Sequence, residues 1–130
     1  VNQATIDYGA TPVYSAALKG HAEVVRLLLG GGADVNQATI DYGATPVYSA
    51  ALKGHAEVVR LLLGGGADVN QARTNDGSTP VFIAAQNAHA EVISILLAGG
   101  ADVNQARVDN GATPVFIAAQ HGHTEGPQSQ

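Results

Sequence analysis

Four histidines recur at one fixed spacing along the chain: His21, His55, His89 and His123. Imidazole is the commonest protein metal ligand and titrates near neutral pH, so the set invites a metal or proton-transfer reading. Geometry argues against it. Equivalent residues on packed helical units sit about 8–10 Å apart, whereas zinc needs its nitrogen ligands about 2 Å from a single centre. A structural, hydrogen-bonding role suits them better. The segment His121-Gly122-His123-Thr124-Glu125 is the densest cluster of ligand types, but nothing in its sequence supplies a second shell to orient it. The runs Gly30–Gly32 and Gly64–Gly66 follow a helical pattern instead of opening one, and lack the Lys-Ser/Thr of a phosphate loop. Asp34, Asp68 and Asp102 come singly and suit turns better than paired acid–base work. There is no G-x-S-x-G elbow, and the absence of cysteine excludes thiol nucleophiles, cysteine–zinc sites and disulfides together. The sequence therefore predicts no catalytic residue, no metal and no cofactor.

The spacing that orders the histidines orders the whole chain. Val1–Asp34 is repeated letter for letter as Val35–Asp68, Val69–Asp102 is a diverged copy, and Val103 opens a fourth copy that stops early. A fixed period of this size signals a stacked array, in which each unit buries its apolar face against its neighbours. The apolar share of 45% suits a folded chain. No apolar run approaches the roughly 20 residues that span a bilayer. A net charge of −5, with Lys19, Lys53, Arg26, Arg60, Arg73 and Arg107 scattered singly, argues against nucleic acid or an anionic membrane as partner.

Within a unit the elements can be read in order. Thr45-Pro46 is a helix start, since threonine caps free N–H groups and proline suits the first turn. Val47–Lys53 continue a short helix that Gly54 ends. His55 and Ala56 lead into a second helix, whose Val58, Val59, Leu62 and Leu63 fall on one face of a 3.6-residue period. Glu57 and Arg60 lie on its other side, placed for a weak ion pair. Gly64–Gly66 stop it. Each helix is shorter than the roughly 12–15 residues that persist alone in water, so neighbours must support it. Ala50-Ala51 permit close approach between first helices, and the stretch from Ala67 to Ser78 reads as a projecting turn or hairpin around Gly77.

The pattern G-x-T-P-x-x-x-A-A-x-x-G-H-x-E-V-V-x-x-L-L-x-x-G-A-D-V-N, four times in register, resembles the ankyrin repeat. The resemblance implies an all-α fold of helix–turn–helix units, stacked as a solenoid with projecting β-hairpin loops. It also implies a non-catalytic role in binding other proteins through hairpin tips and the concave face of the first helices. The domain spans 1–125, as repeats 1–34, 35–68, 69–102 and a partial 103–125, with 126–130 expected as a disordered tail because Gly126-Pro127 breaks the last helix. Two features depart from the family. The period is 34 instead of the usual 33, which predicts a longer or bulged tip. The motif T-P-L-H reads Thr-Pro-Val-Tyr at 11–14 and 45–48 and Thr-Pro-Val-Phe at 79–82 and 113–116, so Tyr14, Tyr48, Phe82 and Phe116 are expected to substitute aromatic packing for the missing histidine's bonds.

Carried onto this chain, the family's contact positions are Tyr8, Leu18 and Lys19 in the first repeat, beside Asp7 and Ala10. The second repeat offers Asp41, Tyr42, Leu52 and Lys53, beside Ala44. The third offers Asn75, Asp76, Ser78, Gln86 and Asn87. The fourth offers Asn110, Gln120 and His121, beside Asp109 and Ala112. Tyrosine and exposed leucine are typical of binding hot spots, so the N-terminal half is expected to supply affinity and the C-terminal half polar complementarity. Against this, single exposed apolar side chains are common and carry no message by themselves.

The implied partner is another protein, and the implied setting is intracellular, in the cytoplasm. The chain starts within a hairpin and ends within a repeat, and it reads as a piece of a longer array. An uncapped first repeat is expected to expose some of Val13, Val24, Val25, Leu28 and Leu29, which makes a homo-oligomer through uncapped ends a second expectation. The alternative function is a structural spacer or self-associating segment of a longer array.

Overall fold

The computed structural model describes residues 9–40, 42–105 and 110–121. Among these, seven helices and no strand are formed: α1 (Pro12–Lys19), α2 (Ala22–Gly30), α3 (Pro46–Lys53), α4 (Ala56–Gly64), α5 (Pro80–Gln86), α6 (Ala90–Ala98) and α7 (Pro114–His121). Each first helix starts at its Thr-Pro step. The hydroxyls of Thr11, Thr45, Thr79 and Thr113 accept from the N–H groups of Tyr14, Tyr48, Phe82 and Phe116 at 3.2–3.3 Å, which satisfies a donor the helix cannot satisfy itself. The residues expected as a tail, 126–130, lie outside the described residues.

Helices this short hold by packing. The first helices stand in file, α1 on α3, α3 on α5 and α5 on α7, and the second helices form a companion file, α2 on α4 and α4 on α6. One apolar core runs between the files from Val13 to Leu96, and Phe82, Ala85 and Ile117 extend it towards α7. This is an all-α repeat solenoid, as the periodicity implies.

Identical sequence in the first two repeats isolates what a neighbour contributes. Val24 is 45% exposed, whereas Val58, the same residue one repeat on, is 1% exposed. Leu27 of α2 also stands in the open. Of the five residues some of which were expected on the outer face of the first repeat, Val24 is exposed, Leu28 and Leu29 are half-buried, and Val13 and Val25 are fully buried. Val13 and Val25 point forward into the core shared with Val47 and Val59 of the next unit.

No strand pairing forms at the expected hairpins among the described residues. Thr39 N–H donates to Ala44 O at 2.9 Å and Gly43 N–H to Thr39 O at 3.1 Å, closing a tight turn. The Ala44 N–H that a ladder would use donates to Thr39 Oγ1 at 3.1 Å. One repeat later Arg73 N–H donates to Ser78 O at 2.8 Å, while Ser78 N–H goes to Asp76 Oδ1 at 2.9 Å. A side chain takes the bond that a strand pair would need, so these tips are turns.

Polar clasps join repeat to repeat. His55 Nε2 lies 3.1 Å from Leu18 O, and His89 Nε2 lies 3.1 Å from Leu52 O. The partner of each histidine is thus the end of the preceding first helix, not a group within its own turn. Asn36 donates through Nδ2 to Gly66 O at 3.3 Å and accepts through Oδ1 from Asp68 N–H at 2.8 Å. Asn70 repeats both bonds with Gly100 O and Asp102 N–H. Asp34, Asp68 and Asp102 accept from the N–H two residues on, the turn role their spacing suggests.

The histidine clasp needs room. Gly20 and Gly54 end α1 and α3 at φ +76° and +77°, and a Cβ added at either would stand 2.7 Å from the ring of His55 or His89. The third repeat places Ala88 at this position, with φ 57°. Its N–H and that of His89 make the same bonds, to Ala85 O and Ala84 O, that Gly20 and His21 make to Ala17 O and Ala16 O. The left-handed region costs an alanine roughly 1–2 kcal/mol, partly offset by the greater chain entropy that glycine loses on folding. Ala88→Gly should therefore stabilise the protein by about 1 kcal/mol, seen as a rise of a few degrees in the thermal midpoint; an unchanged or lower midpoint would contradict this reading of the turn.

Candidate protein-binding surface

Among the described residues, the candidate contact side chains lie at two places. The tips precede the first helices, and the Leu-Lys or Gln-Asn pairs sit at those helices' C-terminal ends. An eight-residue helix such as α3 separates the two by about 12 Å. Stacking then lines up equivalent positions from one repeat to the next.

At the helix ends, Lys19 and Lys53 are exposed and Leu18 and Leu52 half-buried. Gln86, Asn87 and Gln120 are exposed at the corresponding ends of α5 and α7. Asn87 is also used internally, since its Nδ2 donates to Leu52 O at 3.2 Å, the same carbonyl that His89 meets. Tyr8 and Asp41 lie outside the described residues, as does the side chain of His121.

At the tips the candidates divide. Tyr42 is 52% exposed, and Asn75 and Asn110 face solvent. Asp76 and Ser78 are buried, at 8% and 1% exposure, and are turned inward. Asp76 Oδ2 accepts from Arg73 Nη2 at 2.7 Å, and Ser78 Oγ lies 3.1 Å from the Tyr48 hydroxyl in a buried contact. Neither offers a free polar group to a partner.

Arg73 explains why this tip closes. Its guanidinium carbon lies 5.0 Å from the Tyr48 ring centroid and 5.9 Å from that of Tyr42, within cation–π range of both. Thr74 N–H donates to Tyr42 O at 2.8 Å. Tyr42 is therefore a held aromatic whose outer half remains available. Ile40, two residues before it, is 78% exposed. Sequence reasoning missed both Ile40 and Arg73. Ile40 was legible as an apolar residue set among turn formers, but the arginine's role depends on a ring from the preceding repeat.

The second helices carry exposed ion pairs. Glu23, Glu57 and Glu91 belong to the second helices, where Arg26 pairs with Glu23, and Arg60 with Glu91 at 3.0 Å and Glu57 at 3.7 Å. The Arg26 hydrogen bond, and secondarily its charge, holds the Glu23 carboxyl below the usual carboxylate range. These pairs are solvent-exposed and contribute little to stability. Among the described residues no group of three or more His, Cys, Asp or Glu side chains is placed to hold a metal ion, and no helix is long and apolar enough to cross a membrane.

Short helix pairs, stacked in two files, define an α-helical repeat protein. A family profile described as "Ankyrin repeats (3 copies)" matches residues 1–73 and 65–126. The chain belongs to the ankyrin repeat family. No curated protein matches it. Ankyrin repeats are generally protein–protein interaction modules and typically non-catalytic.

The aromatic positions of α3 and α5 meet different surroundings in the repeat that follows. Tyr48 meets Ser78, whereas Phe82 belongs to an apolar cluster with Ala85 and Ile117, against which Ala112, the residue one repeat beyond Ser78, is packed. Tyr48→Phe or Ser78→Ala alone strips one buried hydroxyl of this bond and should cost about 1–2 kcal/mol. The double variant recreates the Phe–Ala combination and should lose less than the two single costs added, by denaturant unfolding; strict additivity would show the hydroxyl pair to be uncoupled.

Proposed function

We propose that this chain is a non-catalytic scaffold that binds another protein through its repeat tips and the adjoining first-helix face. One observation carries the reading. Tyr42 and Ile40 stand exposed together at one tip, and Arg73 holds the tyrosine ring in place. An aromatic fixed before binding loses little entropy on contact, and tyrosine is enriched among hot-spot residues. Leu18, Lys19, Leu52 and Lys53 extend the surface along the first helices, and Asn75, Gln86, Asn87, Asn110 and Gln120 give it a polar continuation. The segregation of glutamates to the second helices leaves the lysines of this face available for an acidic group on the partner. A cytoplasmic setting belongs to the same proposal and rests on the family, whose members are commonly intracellular.

A second reading, self-association through an uncovered end, is favoured by Val24 and Leu27 on α2. The two readings separate in a pull-down from native extract. One stoichiometric foreign partner supports the scaffold; recovery of the chain's own copies alone supports self-association. With a partner in hand, alanine at Tyr42 and its sequence twin Tyr8 should weaken affinity tenfold or more by calorimetry, a loss of about 1.4 kcal/mol or above. Unchanged affinity would remove the tyrosine patch from the interface.

A further inference from the structure

The first helices carry two cations that the fold does not use. Lys19 and Lys53 are exposed at the C-terminal ends of α1 and α3, and neither forms an ion pair among the described residues. The described glutamates are already matched, Glu23 with Arg26, and Glu57 and Glu91 with Arg60. α1, α3 and α5 themselves contain no acidic residue. Lys53 stands on a repeat with a neighbour on each side, so its exposure belongs to the interior of the stack. The net charge of −5 acts weakly here, because charges more than about 8 Å away are largely screened at physiological ionic strength.

The spacing of the lysines specifies an occupant. Equivalent positions on successive first helices lie about 8–10 Å apart. A polyproline II segment advances about 3.1 Å per residue with about three residues per turn, so its residues i and i+3 share one face about 9 Å apart. A β-strand instead puts i and i+3 on opposite faces. Repeat and polyproline turn therefore keep step, one turn per unit. The third unit changes the chemistry, since Gln86 and Asn87 are exposed where Leu52 and Lys53 stand one repeat earlier. The Gln86 amide can donate to a carbonyl that polyproline II leaves unbonded. The carbonyl ends of α1 and α3 would repel a carboxylate, but Leu18 O and Leu52 O each have a histidine Nε2 at 3.1 Å.

We propose, on the basis of the scaffold reading above, that the ends of α1, α3 and α5 receive an acidic, proline-containing segment of a partner protein in polyproline II form. One carboxylate lies over Lys19, the next, at i+3, over Lys53, and an uncharged polar residue at i+6 over Gln86. Proline at the intervening positions fixes the extended form before contact, which reduces the entropy lost on binding. Leu18 and Leu52, half-buried beside the lysines, offer apolar area to the proline rings. The lysines contribute chiefly specificity and association rate, since exposed ion pairs are weak.

The probe is the peptide Glu-Pro-Pro-Glu-Pro-Pro-Asn, blocked at both ends and titrated at low salt into the isotope-labelled full chain. Amide NMR shifts should saturate at the ends of α1 and α3 with a Kd on the order of 1 mM, and binding should weaken severalfold at physiological ionic strength. The double variant Lys19→Glu/Lys53→Glu, checked for an unchanged helical circular dichroism spectrum, should weaken it about tenfold or more. A peptide with lysine in place of both glutamates should bind that variant and not the unaltered chain. Spacing is the sharper readout: Glu-Pro-Glu-Pro-Pro-Pro-Asn, of identical composition, should bind about threefold or more weakly. No saturation up to about 10 mM would overturn the proposal, as would equal binding of the two glutamate peptides, or equal binding of a helical peptide with glutamates at i and i+7. Capture by phosphatidylserine vesicles that is lost in the double variant would also overturn it. Recovery of a foreign partner by pull-down while both glutamate peptides fail would sink this proposal and leave the scaffold reading standing.

Discussion

Contact between neighbouring repeats is the interaction on which everything else in this protein rests. The first and second repeats have one sequence and so one set of local propensities. Yet Val24 stands 45% exposed and Val58 1% exposed, and Leu62 is fully buried where Leu28 is only partly so. Position in the file makes the difference. Fully burying one such side chain is worth about 1.5–3 kcal/mol, which is large against the marginal stability of a short helix pair. Threonine caps and glycine stops define where each helix begins and ends, but the next unit is what keeps it folded.

Specificity of stacking comes from a thin layer of polar contacts that repeat with the units. Histidine reaches the end of the previous first helix, and asparagine ties one turn to the next through both of its polar atoms. The third layer is less uniform. Tyr48 with Ser78, and the apolar cluster of Phe82, Ala85 and Ile117 with Ala112 beside it, are alternative solutions to one packing problem, a hydroxyl pair in one interface and an all-apolar one in the next. Because these groups satisfy one another, what remains for function is the material they do not use. That material is the tip aromatic and isoleucine and the ends of the first helices.

Much of this was legible in the sequence because it is local. Thr45-Pro46, Gly54 and the Val-Val-x-x-Leu-Leu face set α3 and α4, and the period itself implied the stack. What was not legible depends on residues about a repeat away. His55 reads as a turn histidine, yet its partner is Leu18. Asp76 and Ser78 read as tip residues open to a partner, yet an arginine three residues earlier and a tyrosine from the preceding repeat draw them inside. Val13, Val24, Val25, Leu28 and Leu29 could not be told apart as exposed or buried, because periodicity marks all of them as apolar but does not say which neighbour each points towards. The hairpins read as β-structure, but Thr39 and Asp76 each place a side-chain acceptor where a backbone ladder would need one. Ala88 occupies a glycine's conformation, and only its φ reveals that.

The most direct test uses the chain's own duplication. Amide hydrogen exchange of α1 and α2 can be compared with that of α3 and α4, whose sequences are identical, in one sample under native conditions. Local propensity, intrinsic exchange chemistry and solvent are then matched, and neighbour number is what differs. The account predicts slower exchange in α3 and α4 by at least tenfold, about 1.4 kcal/mol of added local stability. Equal protection in the two pairs would mean that each repeat holds itself together, and would contradict the account at its base.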